Sequence, residues 1–508
     1  MSTTSIGGNT ALIIQSLVDM RARFNDLQRQ LATGQKSDTY AGLGLNRGVT
    51  VSLNAQLSAI GGYNDTIANV MTRVNLMNSS LGRMNDIAAA AKTAMLPGTS
   101  PAGVSVNMAQ QQGQSSLDEL VGLLNSQAGD RYLFSGRATD QPAVETSDHI
   151  LNGDGTRAGL KQLIAERTQA DLGANGLGRL NIAASGTSVS LTEDAVPFGI
   201  KLGSVTSTVS GASASGPAGS PASLAVDFAG STPQDGQAVT LRLTLPDGTS
   251  QNLTLTATSN APPGANQFTI GATAGATATN FQAALATSVG KVAGTSLAAA
   301  SAVSASNDFF SADANNPPQR VDGPPFDTAT GMRAGTAAET VVWYTGEAGS
   351  DPARGTATAR IDQSLVVGYG ARANEAGIRS VIQNVATLAA VAVSPADPNA
   401  ADLGAALNQR LTVNLSNPAG GQSITDIETQ LAGAQIAMTS AQSRNKQTTG
   451  TLSEFLQQIQ GVSNEEVGAE ILSLQTRMQA SMQTTAMLFQ TSLVRIRRRN
   501  AAPARPNE

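Results

Sequence analysis

Apolar residues recur at alternating steps of three and four along both ends of the chain, and the long middle loses that rhythm. One series runs Ile13, Leu17, Met20, Phe24, Leu27, Leu31. A longer one runs Leu53, Leu57, Ile60, Tyr63, Ile67, Val70, Val74, Met77, Leu81, Met84, Ala88, Ala91, Met95. The rhythm returns as Ile424, Ile427, Leu431, Ala434, Met438, Ala441, Asn445, Thr448, Leu452, Phe455, Ile459, Val462, followed by Val467, Ile471, Leu474, Met478, Ser481, Thr485, Leu488. A mean step of about three and a half residues is that of a coiled-coil seam, narrower than an ordinary amphipathic face. It predicts a helix from Thr10 to Ala32, stopped at Thr33-Gly34, and a long second helix from near Leu45 to Val49, stopped by Pro97, Gly98 and Pro101. A third helix starts after Gly103, or after Gln114 with Ser116 and Glu119 at capping-box spacing, and ends near Gly129. Ser463 and Glu466 repeat that spacing ahead of a last helix running to about Arg495.

Between these ends the period changes. Residues 129–136 form a short apolar run bounded by glycines and read as a strand, and Lys161 to Ala170 as a brief helix. From about Gly173 to Gly346 the chain is rich in Ala, Gly, Ser, Thr and Pro. Strict alternation in Val239, Leu241, Leu243, Leu245 and in Leu253, Leu255, around Pro246-Asp247-Gly248-Thr249, predicts a β-hairpin. A short helix is expected at Thr279 to Val289, loop over residues 307–332, strands at Val341–Tyr344 and Ser364–Tyr369, and helix again from Asn374 to Val391 and from about Ala400, broken at Pro395 and Pro398 and at Gly420-Gly421.

Composition narrows the chemistry. The 508 residues suffice for two to four domains, 40% hydrophobic content excludes a wholly disordered chain, and a formal net charge of -5 supplies no attraction to nucleic acid. Aromatic residues make up only 3%, so the helix seams must use Leu, Ile, Met and Ala. The absence of cysteine removes disulfides, thiolate metal sites and cysteine nucleophiles together. The single histidine, His149, lies in a turn-like stretch without a visible partner for catalysis. Asn152-Gly153-Asp154-Gly155-Thr156 lacks EF-hand spacing and its closing glutamate, and reads as a tight turn. Phosphate-binding loops, dinucleotide glycine motifs and paired carboxylates do not stand out. No signal peptide is recognisable and no run approaches the roughly 18 apolar residues of a membrane helix, which fits either a cytoplasmic protein or one exported by another route.

Short stretches beside the seams carry a resemblance. Leu31-Ala32-Thr33-Gly34-Gln35-Lys36 looks like the N-terminal element of bacterial flagellins, and residues 471–481 with Ser492-Leu493 are similar to the terminal helix of that family. Residues 125–140, which contain Arg131, Tyr132, Phe134 and Gly136, together with residues 368–375, resemble the hook–filament junction branch of the family more closely. The likeness covers about residues 1–135 and 360–495. It implies a non-catalytic subunit, without cofactor or metal, whose terminal helices polymerise with copies of itself and with other flagellar axial proteins. It also implies an export chaperone, secretion through the flagellar type III apparatus without a cleaved signal peptide, and a middle domain facing the medium.

By themselves the seams favour a bundle closed within one chain; the terminal motifs turn the expectation to assembly. The expected fold is mainly α: a long antiparallel helical bundle or coiled-coil rod built from both termini, with an inserted β-rich outer domain. Its divisions are an N-terminal helical core at 1–135, a transition segment at 136–172, an outer domain at 173–346, return strands and helix at 347–398, a C-terminal helical core at 399–495 and a basic tail at 496–508. The seam positions expected to matter most for assembly are Ile13, Leu17, Met20, Phe24, Leu27, Leu31, Ile67, Val74, Leu81, Ile427, Leu431, Met438, Leu452, Ile471, Leu474, Met478 and Leu488. Arg131, Tyr132 and Phe134 fit two roles equally, a strand packed under the bundle or the fixed exit into the outer domain. The expanded middle is closer to filament flagellin than to the junction branch. Arg495, Arg497, Arg498, Arg499 and Arg505 depart from the family, whose chains end soon after this helix, and are expected as a solvated tail. The alternative from another class is a coiled-coil stalk presenting residues 173–346 as an adhesive or receptor-binding extracellular head.

Overall fold

The computed structural model describes residues 4–94, 102–230, 232–393, 397–418 and 420–500. Met95, the stop at Pro97, Gly98 and Pro101, the break at Pro395 and the basic residue Arg505 lie outside them. The described chain is mainly helical, with 55% of residues in helix and 15% in strand, and divides into two compact units.

The first unit comprises residues 1–67, 361–365 and 438–508. It holds α1 (Thr4–Thr33), the start of α2 (Arg47–Ala94), the end of α10 (Ile424–Gln460) and all of α11 (Asn464–Asn500). Helix α1 begins before the expected Thr10, so residues 4–9 are helical rather than free, and it ends where Gly34 takes φ +71° and donates its N–H to Gln30 O at 2.8 Å. That left-handed conformation costs glycine nothing and satisfies a carbonyl of the last turn. Helices α1 and α11 pack in opposite directions: Val462 N bonds Gly34 O at 3.1 Å, and Arg23 pairs with Glu470 at 2.5 Å one helical stretch further on. Leu27, Val467 and Leu474 are buried between them, with Met20, Phe24, Val462, Ile471 and Met478 packed around. The same antiparallel order links Asn64 of α2 to Asn445 of α10, whose side-chain amides bond at 3.0 Å.

The second unit, residues 68–360 and 366–437, is larger and better buried. Every seam residue of its part of α2, from Val70 to Ala91, is buried, as are Ile424, Ile427, Leu431 and Ala434 of α10. Asn75 bonds Gln435 at 2.7 Å and Asn85 bonds Glu428 at 3.5 Å, so these helical stretches also run in opposite directions. Helix α3 (Ala102–Leu124) is continuous. Ser116 therefore sits inside it, accepting a bond from the Gln112 amide, and caps no helix start. The box that does form precedes α10, where Asp426 N donates to Ser423 Oγ and the Asp426 carboxylate accepts from Ser423 N and Oγ. At α11 the Ser463 hydroxyl accepts from Glu466 N as expected, while the carboxylate it bonds belongs to Glu465.

Beyond α3, the two-residue strands β1 (Gln127–Ala128) and β2 (Arg131–Tyr132) make a hairpin whose turn is Gly129-Asp130, so residues 129–136 are not one strand. His149 lies on a helix rather than a turn, α4 (Ser147–Asn152), and α5 (Leu160–Leu172) follows. Strands β3 (Leu180–Ser185), β4 (Ser188–Glu193), β5 (Lys201–Ser207), β6 (Ser213–Ala218), β7 (Ser223–Asp227), β8 (Ala238–Thr244), β9 (Ser250–Thr258) and β10 (Gln267–Thr269) form two four-stranded sheets ordered β3-β4-β7-β6 and β10-β9-β8-β5. The β8–β9 hairpin pairs Val239 with Leu255 and Leu241 with Leu253, all buried on one face as period-two alternation requires. Phe228, Phe268 and Phe281 meet at centroid distances of 5.3–6.1 Å beneath the sheets.

The middle is not uniformly β. Helix α6 (Ala274–Val292) continues through a wide turn at Ala293–Leu297 into α7 (Ala298–Ser311), so helix reaches into the stretch expected as loop. The composition hides these helices because Ala, Ser and Thr fill their surfaces and Gly290 and Gly294 interrupt the apolar pattern. Strands β11 (Arg320–Val321), β12 (Met332–Arg333), β13 (Thr358–Arg360) and β14 (Val366–Gly368) are short, and helices α8 (Ala376–Ala390) and α9 (Ala400–Ser416) complete the unit. Val341–Tyr344 is buried but forms only an isolated bridge, Val144 to Tyr344. Among the described residues no helix is long and apolar enough to cross a membrane.

Candidate assembly surface

Two local structures answer to the candidate residues: the terminal helices and a paired segment at the base of the sheet domain. On α1, Leu27 is buried and Ile13, Leu17, Met20 and Phe24 are half-buried, whereas Leu31 is exposed. Ile67, Val74, Leu81, Ile427, Leu431, Met438 and Leu452 are buried along α2 and α10. Past Asn445, Leu452 and Leu456 are buried and Ile459 is half-buried, while Phe455 is exposed, so Leu456 takes the place expected for Phe455. On α11, Leu474 is buried, Ile471 and Met478 are half-buried, and Leu488 is exposed. Leu31 and Leu488 thus keep the seam's step but are left uncovered.

Apolar side chains are exposed off the seam as well. Helix α1 also exposes Leu12 (70%), Ile14 and Val18, and α11 exposes Leu472 (69%), Met482, Met487, Phe489 and Val494. A surface helix ordinarily buries one apolar stripe and turns polar residues to water; α1 and α11 carry exposed apolar residues beyond the stripe they bury. Leu12, Ile14, Leu472 and Met487 fall off the seam's rhythm, so periodicity does not single them out.

Helix α11 runs through Arg495 to Arg499, so those arginines lie on a helix instead of in a tail. Arginine is a good helix former.

The second structure joins two stretches more than 200 residues apart. Ala373 N donates to Phe134 O at 2.8 Å, Gly136 N donates to Ala371 O at 3.2 Å, and Ser135 bridges Arg372. The segments 125–140 and 368–375 therefore lie side by side. Phe134 is fully buried, Tyr132 half-buried and Arg131 exposed; Gly136 is buried with φ +67°, against the side chain of Glu347. A Cβ at Gly136 would lie 2.5 Å from Glu347 Oε2, so only glycine fits both the backbone and the space. Glu347 in turn accepts from Arg137 N at 2.8 Å. Arg372 bonds Gly349 O at 2.8 Å, and the buried Glu375 receives Arg354 at 2.5–2.6 Å and Arg372 N at 3.1 Å. The pairing sets the stretch that precedes the sheets in sequence beside the stretch that follows them.

The remaining candidates are local. His149 Nδ1 lies 3.1 Å from Glu145 Oε2 on the preceding turn. Asp154 Oδ1 folds back onto Arg157 N and Thr156 N, and with the Arg157 guanidinium these bonds hold its carboxyl well below the usual range, so the loop is a closed turn. Among the described residues no group of three or more His, Asp or Glu is placed to hold a metal ion. Comparison with protein-family models and with curated proteins finds no match to this chain.

Proposed function

We propose that this chain is a structural subunit of the bacterial flagellum that polymerises through its terminal helices, in the filament or at the hook–filament junction. The observation that carries this reading is the set of exposed apolar side chains on α1 and α11, which one chain leaves open and neighbouring copies would cover. Antiparallel seams supply the other requirement: the ends pair with each other through Leu27, Val467 and Leu474, as a coiled-coil core would. The paired segment of residues 131–136 and 371–373 supports the same reading, because the stretches that resemble the family in sequence are adjacent in space. The assembly is extracellular, the partners are further copies and other axial proteins, and export proceeds with a dedicated chaperone.

Sedimentation of purified chain under polymerising conditions tests the proposal, using the double variant Leu12→Ser, Phe489→Ser. Both positions are exposed in the free chain, so its fold is unchanged and its polymer is lost. Polymer formed as readily by the variant as by the parent would sink the reading. Circular dichroism adds a second readout: helicity and protease resistance rise on polymerisation.

A further inference from the structure

The larger unit contains a cavity of about 560 Å³, within the roughly 300–1,000 Å³ range of small-molecule sites. Its walls come from the β8–β9 hairpin, α7, α8 and α9. They are polar to an unusual degree. Gln251, Asn252, Gln383, Gln409 and Asn414 present amides to it, and no aromatic residue lines it. Two arginines and one carboxylate line it, Arg379, Arg410 and Asp247, giving a net charge of +1.

Arg410 is fully engaged. It bonds Asp247 Oδ2 at 2.7 Å through Nε, Ala406 O at 2.9 Å and Thr249 Oγ1 at 3.2 Å. Arg379 is not: it is half-buried, burial alone lowers its pKa, and among the described residues no carboxylate pairs with it. A guanidinium withdrawn from water without an anion is costly unless something supplies the anion. Asn384, 1% exposed, stands one turn along α8; its Nδ2 donates to Ser380 O while its Oδ1 accepts nothing. The cavity therefore offers one unneutralised planar cation and a wall of hydrogen-bonding amides.

We infer that this cavity binds a small hydroxylated monocarboxylate of the uronic-acid class, with the carboxylate on Arg379 and the hydroxyls on the surrounding amides. A carboxylate matches the guanidinium fork in charge and geometry. Neutral sugars leave Arg379 unpaired, simple carboxylates leave the amides to water, and apolar ligands find only Val303 and Val413. The inference does not rest on the assembly reading, since none of these residues lies on the terminal helices.

Calorimetric titration of the full chain with glucuronate, glucose, acetate and inorganic phosphate tests it. Glucuronate should bind at least about tenfold tighter than each of the others, the difference one hydrogen bond to a charged group confers. Arg379→Gln should weaken glucuronate by at least that factor and leave the melting temperature equal or higher, because it removes a half-buried, unpaired charge. Equal affinity for glucose or acetate overturns the proposal, as does glucuronate binding unaffected in Arg379→Gln. Tighter binding of phosphate overturns it in favour of a plain anion site, and no binding of glucuronate at about 10 mM, where the standard free energy would be under 3 kcal/mol, overturns it outright. The ligand comparison uses the unaltered chain, so it decides the matter even where the variant fails to fold.

Discussion

At the scale of single residues, two groups concentrate the energetics. Glu375 is buried and, among the described residues, is the only acid that receives Arg354. Replacing it by alanine leaves a guanidinium desolvated and unpaired, and breaking a buried pair costs about 3–5 kcal/mol. Glu375→Ala should therefore lower the urea midpoint of the larger unit markedly; a loss under about 1 kcal/mol would show that the pair is solvated in solution. Asp426 works at the other extreme of exposure. Its bonds from Ser423 N and Oγ hold its carboxyl below the usual carboxylate value. A depressed folded pKa means that the cap is complete above the unfolded value of about 4 and is lost as pH falls through the lower folded one. Amide protection in the first turn of α10 should drop on acidification through that window and lose this pH dependence in Asp426→Asn; an unchanged profile in the variant would place the effect elsewhere.

Elements differ in how openly the sequence announces them. The seams are legible because Val70 to Ala91 repeat every three or four residues and all of them are buried. The β8–β9 hairpin is legible for the equivalent reason at period two, marked by its Pro-Asp-Gly turn. Helix α7 is not, because Ala299, Ala300, Ser301, Ala302 and Ser306 are all buried and give no polar contrast for periodicity to register. A helix buried on most sides has its pattern erased by the partners that cover it. Ser116 failed for a different reason: the cap spacing is a local signal, and the apolar run Leu117, Leu120, Leu124 extends an existing helix through it. Of the candidate site, the seam was readable and the other exposed apolar positions were not, since Leu12, Leu472 and Met487 fall off the rhythm that identified the seam. The seam carries its own device for alignment. Asn445 is buried in an otherwise apolar stripe and bonds Asn64, and a polar pair at such a position fixes register at some cost in stability. Asn445→Leu should raise the melting temperature of the first unit while producing mixed polymer morphologies in electron micrographs; uniform polymers from that variant would remove the register role.

On the scale of the whole molecule, the two units are unequally held. Three buried apolar side chains join α1 to α11, worth at most about 1.5–3 kcal/mol each, whereas the sheets and α6 of the larger unit share a continuous core that includes Phe228, Phe268 and Phe281. Monomer should therefore unfold in two steps, with amides of α1 and α11 exchanging far ahead of those of β8 and β9, and the early step should vanish in polymer. A single cooperative transition in monomer would contradict this division.

The pairing of α1 with α11 also imposes an order in time. Arg23 and Glu470 are separated by 447 residues, and closing so long a loop in an unfolded chain costs about 5 kcal/mol before any constant term, comparable with what the three buried side chains return. A chain delivered N-terminus first thus carries an unpartnered α1 for nearly its whole emergence, and cannot complete its first helix pair until its last residues arrive. The two helices act as a clock: the pair closes only after everything between Thr33 and Asn464 has been made, so whatever surface the pair builds comes late.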